Sequence, residues 1–227
     1  MARLLWNQTG DNKFETGVDR GVLFVYDPEN QEYKAGVAWN GLTSVSPSPT
    51  GAEASPFYAD NIKYLNLMSA EEFGLSLECY TYPDEFALCD GSHVIGGLNV
   101  GQQVRNAFGF AWRTRVGNEV VGDTLGEKLH IAWNLLVSPT ENAYTTVNES
   151  PEPLTMSYEA TSTAVPFPDD EQYKNLRPTA YMSYDTTHPD HSAEKYKQLT
   201  DLIWGSESEE ATLPTPAEVA DIFLAGA

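Results

Sequence analysis

The chain has 227 residues, of which 41% are hydrophobic, and it can bury a substantial core, most simply as one domain. Its 33 acidic residues outnumber its 13 basic ones and give a formal net charge of -20. That balance argues against tight binding of DNA or RNA, because such binding requires basic residues that neutralise phosphates. It is compatible with a nucleic acid that passes nearby without binding.

The N-terminal segment MARLLWNQTG lacks the apolar core of a signal peptide. No apolar run approaches the ~18 residues of a membrane span. We therefore expect the protein to be made and matured in the cytoplasm, with no membrane partner. The first strands are predicted at 21–26 and 36–45, where apolar residues follow glycine.

The stretch 37–67 is the most informative part of the chain. It begins like a strand, continues into a segment rich in Ser, Pro, Gly and Ala, and returns through Phe57, Tyr58 and Ile62. Loops without secondary structure rarely exceed ~12–15 residues in a compact domain unless they bind something or are disordered. Because a solvated linker seldom carries large apolar side chains, we predict an arm that reaches another protein surface.

Four clear strands are predicted from apolar residues at every second position, at 73–80, 108–116, 129–137 and 154–161, with a shorter one at 179–184. Each has one apolar and one more polar face, which is typical of antiparallel sheets. The fold class predicted from this pattern is mainly β, an antiparallel sandwich or barrel. Cys79 falls on an apolar face, and two cysteines are too few for a disulfide framework.

Few helices are predicted. Residues 69–72 could form one capped turn. A flanking helix is predicted at 192–204, with Ser192 as N-cap and Gly205 just after its end. After a polar linker at 206–212, Thr215 caps a short C-terminal helix that begins at Pro216. This apolar helix could fold back or dock on a neighbour.

No catalytic, cofactor or metal site is predicted. His188 and His191 are separated by a proline that would break a helix aligning the two rings, and no third ligand has suitable spacing. His130 is expected on the open face of its strand. There is no Gly-x-Ser-x-Gly motif and no phosphate-binding glycine loop. We therefore do not expect an enzyme.

Two polar features are more specific. Arg113 and Arg115 share one face of a strand in a chain poor in positive charge, and such arginines suit carboxylate partners. The partners could belong to a neighbouring subunit or to the same chain. The open face of 154–163 is polar and acidic through Glu159, and it would suit either a wetted channel wall or an ordinary solvent-exposed surface.

Three segments carry a resemblance to a known family. They are VAWNGLTSVSPSPTGAEASPFYADNIKYLNLMSAEEFGLSLECYTYPDEFALCDG at 37–91, VGQQVRNAFGFAWRTRVGNEVVGDTLGEKLHIAWNLLVSP at 100–139, and LTDLIWG followed by LPTPAEVADIF near the C-terminus. The chain resembles the major tail tube proteins of long non-contractile-tailed, siphovirus-like phages, in the branch common to phages of Gram-positive hosts. The resemblance covers roughly 36–223.

The resemblance implies a β-sandwich with a flanking helix, assembled into hexameric rings. The rings stack into a tube through which the genome passes without specific binding, and a long loop and terminal arms bridge successive rings. It implies a virion tail protein, assembled in the host cytoplasm, with tape measure, tail terminator and baseplate proteins as further partners.

Carried onto this chain, the resemblance implies an N-terminal arm at 1–20, a tube domain at 21–204 with its long loop at 42–62, and a C-terminal linker and helix at 205–227. The inter-ring residues would be Trp39, Leu42, Pro47, Pro49, Phe57, Tyr58 and Ile62. The arm would carry Leu5, Trp6 and Phe14. The channel wall would carry Glu78 or Glu159.

Alternative functions stay open at this point. The same fold could serve a single-ring tail terminator or the baseplate protein that initiates the tube. A β-sandwich carbohydrate-binding module is a further alternative, which would present exposed aromatic residues on one sheet face.

Overall fold

A computed structural model of the protein describes residues 4–144, 146 and 153–224. The fold is mainly β, with 45% strand and 14% helix, and its strands pair in antiparallel fashion. The strands are β1 Lys13–Asp27, β2 Glu32–Tyr33, β3 Val37–Trp39, β4 Leu42–Pro47, β5 Thr50–Gly51, β6 Ala54–Ala59, β7 Ile62–Met68, β8 Glu71–Glu72, β9 Gly74–Cys79, β10 His93–Ile95, β11 Leu98–Val100, β12 Phe108–Asn118, β13 Gly122–Val137, β14 Met156–Ser162 and β15 Tyr181–Asp185. The helices are α1 Ala87–Asp90, α2 Ala193–Trp204 and α3 Pro216–Leu224, with 3-10 turns at Asp84–Phe86 and Glu171–Tyr173.

Nine strands form one sheet in the order β2-β1-β12-β13-β14-β9-β4, with β3 beside β1 and β15 beside β13. Only Asn40 and Gly41 separate β3 from β4. Because β3 pairs with β1 at one end of this order and β4 pairs with β9 at the other, the sheet curls until its ends are joined. The result is a barrel-like sheet with an inner and an outer face.

The inner face encloses an aromatic core. Its largest members come from β12, β9, β13 and the Asp84–Phe86 turn, which inserts Phe86 into the interior. Trp39 contacts both Phe86 and Phe110, and its indole N–H donates to the Thr81 carbonyl (3.0 Å). Burying aromatic groups of this size supplies much of the stability of a β domain. Both cysteines lie in this core, reduced, and burial raises the pKa of the Cys79 thiol to about 11.

The outer face is covered by α2, α3 and the segment between them. Leu199, Ile203, Leu213 and Val219 pack against alternate residues of β1, β12 and β13. The contact is close: a Cβ at Gly109 would lie 2.1 Å from the Leu213 side chain, so only glycine fits there. The C-terminal helix therefore folds back on its own chain.

The predicted elements are largely confirmed, but several bounds and faces differ. The predicted strand at 21–26 begins eight residues earlier, and the one predicted at 36–45 is two strands with a bend at Gly41. The capped turn at 69–72 is wrong, because Glu71 and Glu72 pair as a strand with Thr50 and Gly51. The Ser192 cap on α2 is confirmed, since its Oγ accepts from the Lys195 amide (3.4 Å).

The prediction that β13 has one open face is also wrong. Leu129, Ile131 and Trp133 belong to the outer cluster, whereas Leu135 and Val137 belong to the inner one. The change of face occurs at Asn134, whose φ of 51° marks a bulge opposite the register shift between Phe108 and Phe110. His130 precedes this bulge and lies on the side of β13 that carries Ala132 of the inner cluster, so it is buried rather than open to solvent.

Candidate assembly surface

The most prominent surface feature is a β-ribbon that projects from the barrel. Strands β4 and β9 pair in one register from Ser44–Glu78 outward. The β5–β8 pair and then the β6–β7 pair continue this register as far as Phe57–Leu65. Backbone hydrogen bonds at Ser48, Ala52 and Ser69 close the intervals between the strand pairs. We call residues 49–72 the projecting ribbon.

The ribbon ends in a two-residue turn at Asp60–Asn61. Both residues have positive φ, 51° and 62°, which is the backbone required by the type I′ turn that suits a β-hairpin. Asp and Asn tolerate this conformation better than other non-glycine residues. With ~3.3 Å per strand residue, the twelve residues from Ser48 to the turn give the ribbon a reach of about 40 Å.

The ribbon is exposed on both faces, although it carries large apolar residues. Within 49–72 only Ala52 is even half-buried. The exposed large apolar side chains are Phe57, Tyr58, Ile62, Tyr64, Leu65, Leu67 and Met68. Contiguous exposed apolar surface is uncommon on folded domains, so these residues form the candidate contact surface of this chain.

The register shows what kind of surface this is. Val45, Leu75 and Leu77 lie in or against the inner core, and Phe57, Leu65 and Leu67 lie in the same pairing register farther out. Gly51 and Ala52, with φ of 80° and 52°, interrupt the strand between these two sections. The ribbon therefore extends the register of a core strand pair over a length where its own chain provides no cover.

The predicted loop at 42–62 is thus wrong in form and position. Leu42–Pro47 is strand β4 of the main sheet, and Leu42 packs against the inner core. Trp39, predicted to pack at the root of the loop or against the next ring, is buried at 3% exposure and packs in the inner core.

The remaining predicted residues are accessible. Pro47 and Pro49 are exposed at the ribbon's root, and Phe57, Tyr58 and Ile62 are exposed at its outer end. These five residues thus share one projecting element.

The predicted N-terminal arm is shorter than 1–20. From Lys13 onward the chain is paired with β12, and Phe14, 46% exposed, lies in β1. Residues 1–3 lie outside the described residues. Leu5 and Trp6 are exposed, and the segment is fastened where the Gly10 amide donates to Glu119 (2.7 Å).

Arg113 and Arg115 have partners within the chain. Arg113 makes a bidentate contact to Asp19 (2.7 Å for both bonds) and a further one to Glu127 (2.6 Å). This bonding from Arg113 lowers the pKa of Asp19, and the same partners raise the pKa of Arg113. Arg115 contacts Asp123 at 3.1 Å. Of the two alternatives, the intramolecular one is therefore observed.

Glu78 and Glu159 lie on one exposed polar face. Glu78 is opposite Ser157, and Glu159 is opposite Ser76, so the two carboxylates flank a patch of small hydroxyl side chains on neighbouring strands. Strands β4, β9 and β14 carry no lysine or arginine. The face is therefore acidic and has no cation of its own.

His130 joins a stack of rings that reaches the root of the ribbon. It stacks on Trp112 (centroids 4.9 Å apart) and on Tyr181 (6.0 Å), and Tyr181 stacks on Phe73, next to the ribbon. Its Nδ1 contacts the Tyr181 hydroxyl at 2.6 Å and its Nε2 contacts Thr114 Oγ1 at 2.8 Å. Burial lowers the pKa of His130, while the nearby Glu15 partly opposes this shift.

Within residues 4–144, 146 and 153–224, no group of three or more His, Cys, Asp or Glu side chains could hold a metal ion. In the same part of the chain, no helix is long and apolar enough to cross a membrane. A scan against protein-family models finds no match for this chain, and a search of curated proteins finds no significant one.

Proposed function

We propose that the chain is the repeating subunit of a phage tail tube of the long non-contractile type, forming hexameric rings that stack. One observation carries the proposal: the projecting ribbon extends the paired register of β4 and β9 about 40 Å beyond the core, with its apolar side chains uncovered. A second copy that covers the ribbon would bury this surface. Since every copy both offers and receives such a contact, the contact propagates head to tail without closing.

Two further features support the proposal. The acidic hydroxyl-rich face around Glu78 and Glu159 suits the wall of a wet channel, where DNA would slide without ion pairs to phosphate. The mainly β class, with a large antiparallel sheet and few helices, is the coarse class to which the implied fold belongs. In this proposal the chain acts in the virion tail after assembly in the host cytoplasm, with tape measure, terminator and baseplate proteins as partners.

The experiment is a ribbon replacement. Replacing residues 51–71 with Asn-Gly joins Thr50 to Glu72, which already face each other, through a turn suited to a two-residue hairpin. We expect the variant to fold, because the ribbon adds nothing to either core cluster. Sedimentation velocity should show large assemblies for the wild type at high concentration, and none larger than a single ring for the variant.

The matched control is an equally exposed surface change elsewhere, Tyr144→Ser, which should assemble like the wild type. A ribbon-replaced variant that still sediments as long polymers would refute the stacking role. A wild type that forms one discrete ring at every concentration would favour the terminator or initiator alternative.

A further inference from the structure

A cleft beside the barrel has a cation at its rim and no carboxylate in its lining. It has a volume of about 480 Å³, and its walls include Arg20, Val22, Ala38, Asn40 and Trp204. This size is within the range of roughly 300–1,000 Å³ that ligand pockets occupy. It can receive a turn with one or two large side chains.

Arg20 is held in an unusual way. Its φ is 51°, a left-handed backbone in a non-glycine residue, within the register shift of β1 against β12 between Asp19 and Val22. Such strain is often kept where a side chain has a role in binding. The guanidinium lies 4.6 Å from the centre of the Trp204 ring, and no carboxylate oxygen lies within salt-bridge distance of it in the part of the chain that the structure describes.

Trp204, in the same cleft, has a hydrogen-bond donor without a partner in the described part of the chain. Its Nε1–H is buried and finds no acceptor among the described residues. Buried donors are normally paired, so this indole N–H is an exception among the described residues and adds a polar group to the Trp204 side of the cleft.

Other clefts on the described surface differ in charge. One contains Glu218 and Asp221, another Asp185 and Asp190, and a third Asp169 and Asp170, while a smaller one beneath α3 has no charged residue. In a chain of net charge -20, an acidic partner would be repelled by most of these surfaces. Of these five clefts, the Arg20 cleft is the one whose lining has a cation and no carboxylate, which suits an acidic partner.

The projecting ribbon has the complementary chemistry. It carries four carboxylates and one lysine, Lys63, which is paired with Tyr58 beside the tip. In the turn, Asp60 lies in sequence between the exposed residues Tyr58 and Ile62. We infer that the Arg20 cleft is the acceptor for the ribbon tip of a second copy, with Asp60 paired to Arg20 and the flanking apolar groups against Trp204. This inference rests on the proposed self-assembly and assigns its two contact surfaces.

A charge exchange tests the pairing. In the full-length chain, Arg20→Glu and Asp60→Arg should each lower the sedimentable fraction by about tenfold or more at a concentration where the wild type is assembled, because each places like charges together. The double variant, which restores an opposite pair between copies, should recover assembly. Arg177→Glu, an exposed arginine with the same charge change, should behave like the wild type.

The outcomes separate this inference from the function on which it rests. Far-ultraviolet circular dichroism and the unfolding temperature of each variant verify that the fold is kept. If the wild type assembles and Arg20→Glu assembles equally well, or if the double variant of correct fold fails to recover, the cleft assignment is wrong while the tube proposal stands. If the wild type never assembles, the tube proposal itself fails.

Discussion

At the scale of single residues, the scarce cations of this chain hold the barrel together. Arg113 is 14% exposed and joins Asp19 of β1 to Glu127 of β13 across its own strand. Charge-assisted bonds of this kind are stronger than neutral ones, and leaving their buried partners unpaired is destabilising. The more exposed Arg115 makes weaker contacts to the same region.

We predict that Arg113→Met lowers the free energy of unfolding by about 2–3 kcal/mol. Arg115→Met is the matched control, with half its side chain in solvent, and should lower it by less than about 1 kcal/mol. Urea unfolding monitored by tryptophan fluorescence measures both. An equal loss of unfolding free energy in the two variants would contradict the conclusion that Arg113 stabilises the contact among β1, β12 and β13.

His130 makes stability depend on pH. Burial lowers its pKa in the folded protein below the usual ~6.5 of the unfolded chain, so folding favours the neutral ring. Its contribution is therefore fully present above pH ~6.5 and is lost as the pH falls below that value, because the unfolded state then binds the proton more readily.

We expect the urea midpoint to fall between pH 7 and pH 5, and to fall less in His130→Gln. The neighbouring carboxylates Glu15 and Asp185 have lowered pKa values, so their contribution is lost at more acidic pH and should not obscure the change. If the urea midpoint of His130→Gln falls with pH as steeply as that of the wild type, His130 is not the group responsible.

At the scale of elements, the sequence pattern located most strands correctly but was less successful in predicting which side of a strand is buried. Alternation located β9, β12, β13 and β14, because each carries apolar residues at regular spacing. It failed for the second side of β13: α2 and α3 cover the side that carries Leu129 and Ile131, while His130 and Ala132 on the other side are buried against the inner core. A single bulge at Asn134 then exchanged the two faces, and no local pattern marks it.

The ribbon was harder to predict for a different reason. Pro47, Pro49, Gly51 and Pro56 are residues typical of loops, and they concealed strands that face water on both sides. The Asp60–Asn61 pair, between apolar alternations, was the available signal for a hairpin. The apolar residues Phe57, Tyr58 and Ile62 are exposed, and their contact with another protein surface stays a prediction.

A preformed ribbon also changes the expected energetics of assembly. A disordered loop would lose conformational entropy on docking, whereas a ribbon with a fixed register has lost most of it on folding. The monomer therefore presents its contact surface before any partner arrives. Removing the ribbon should leave the unfolding temperature nearly unchanged, because no core residue is lost.

At the scale of the whole molecule, charge and apolar surface oppose each other. The net charge of -20 repels copies from one another, and the ribbon attracts them. Repulsion between exposed charges is screened beyond about 8–10 Å at physiological salt, whereas apolar burial persists. In the proposed assembly, contact between copies would therefore be governed by the ribbon once they meet, and a continuous stack would cover every internal ribbon.

Electron microscopy of the purified wild-type chain in negative stain tests the central claim most directly. The proposal predicts long hollow tubes or stacks of rings, with end-on views that show six subunits around a central channel. Discrete particles without stacking, at every protein concentration and at both low and physiological salt, would contradict it.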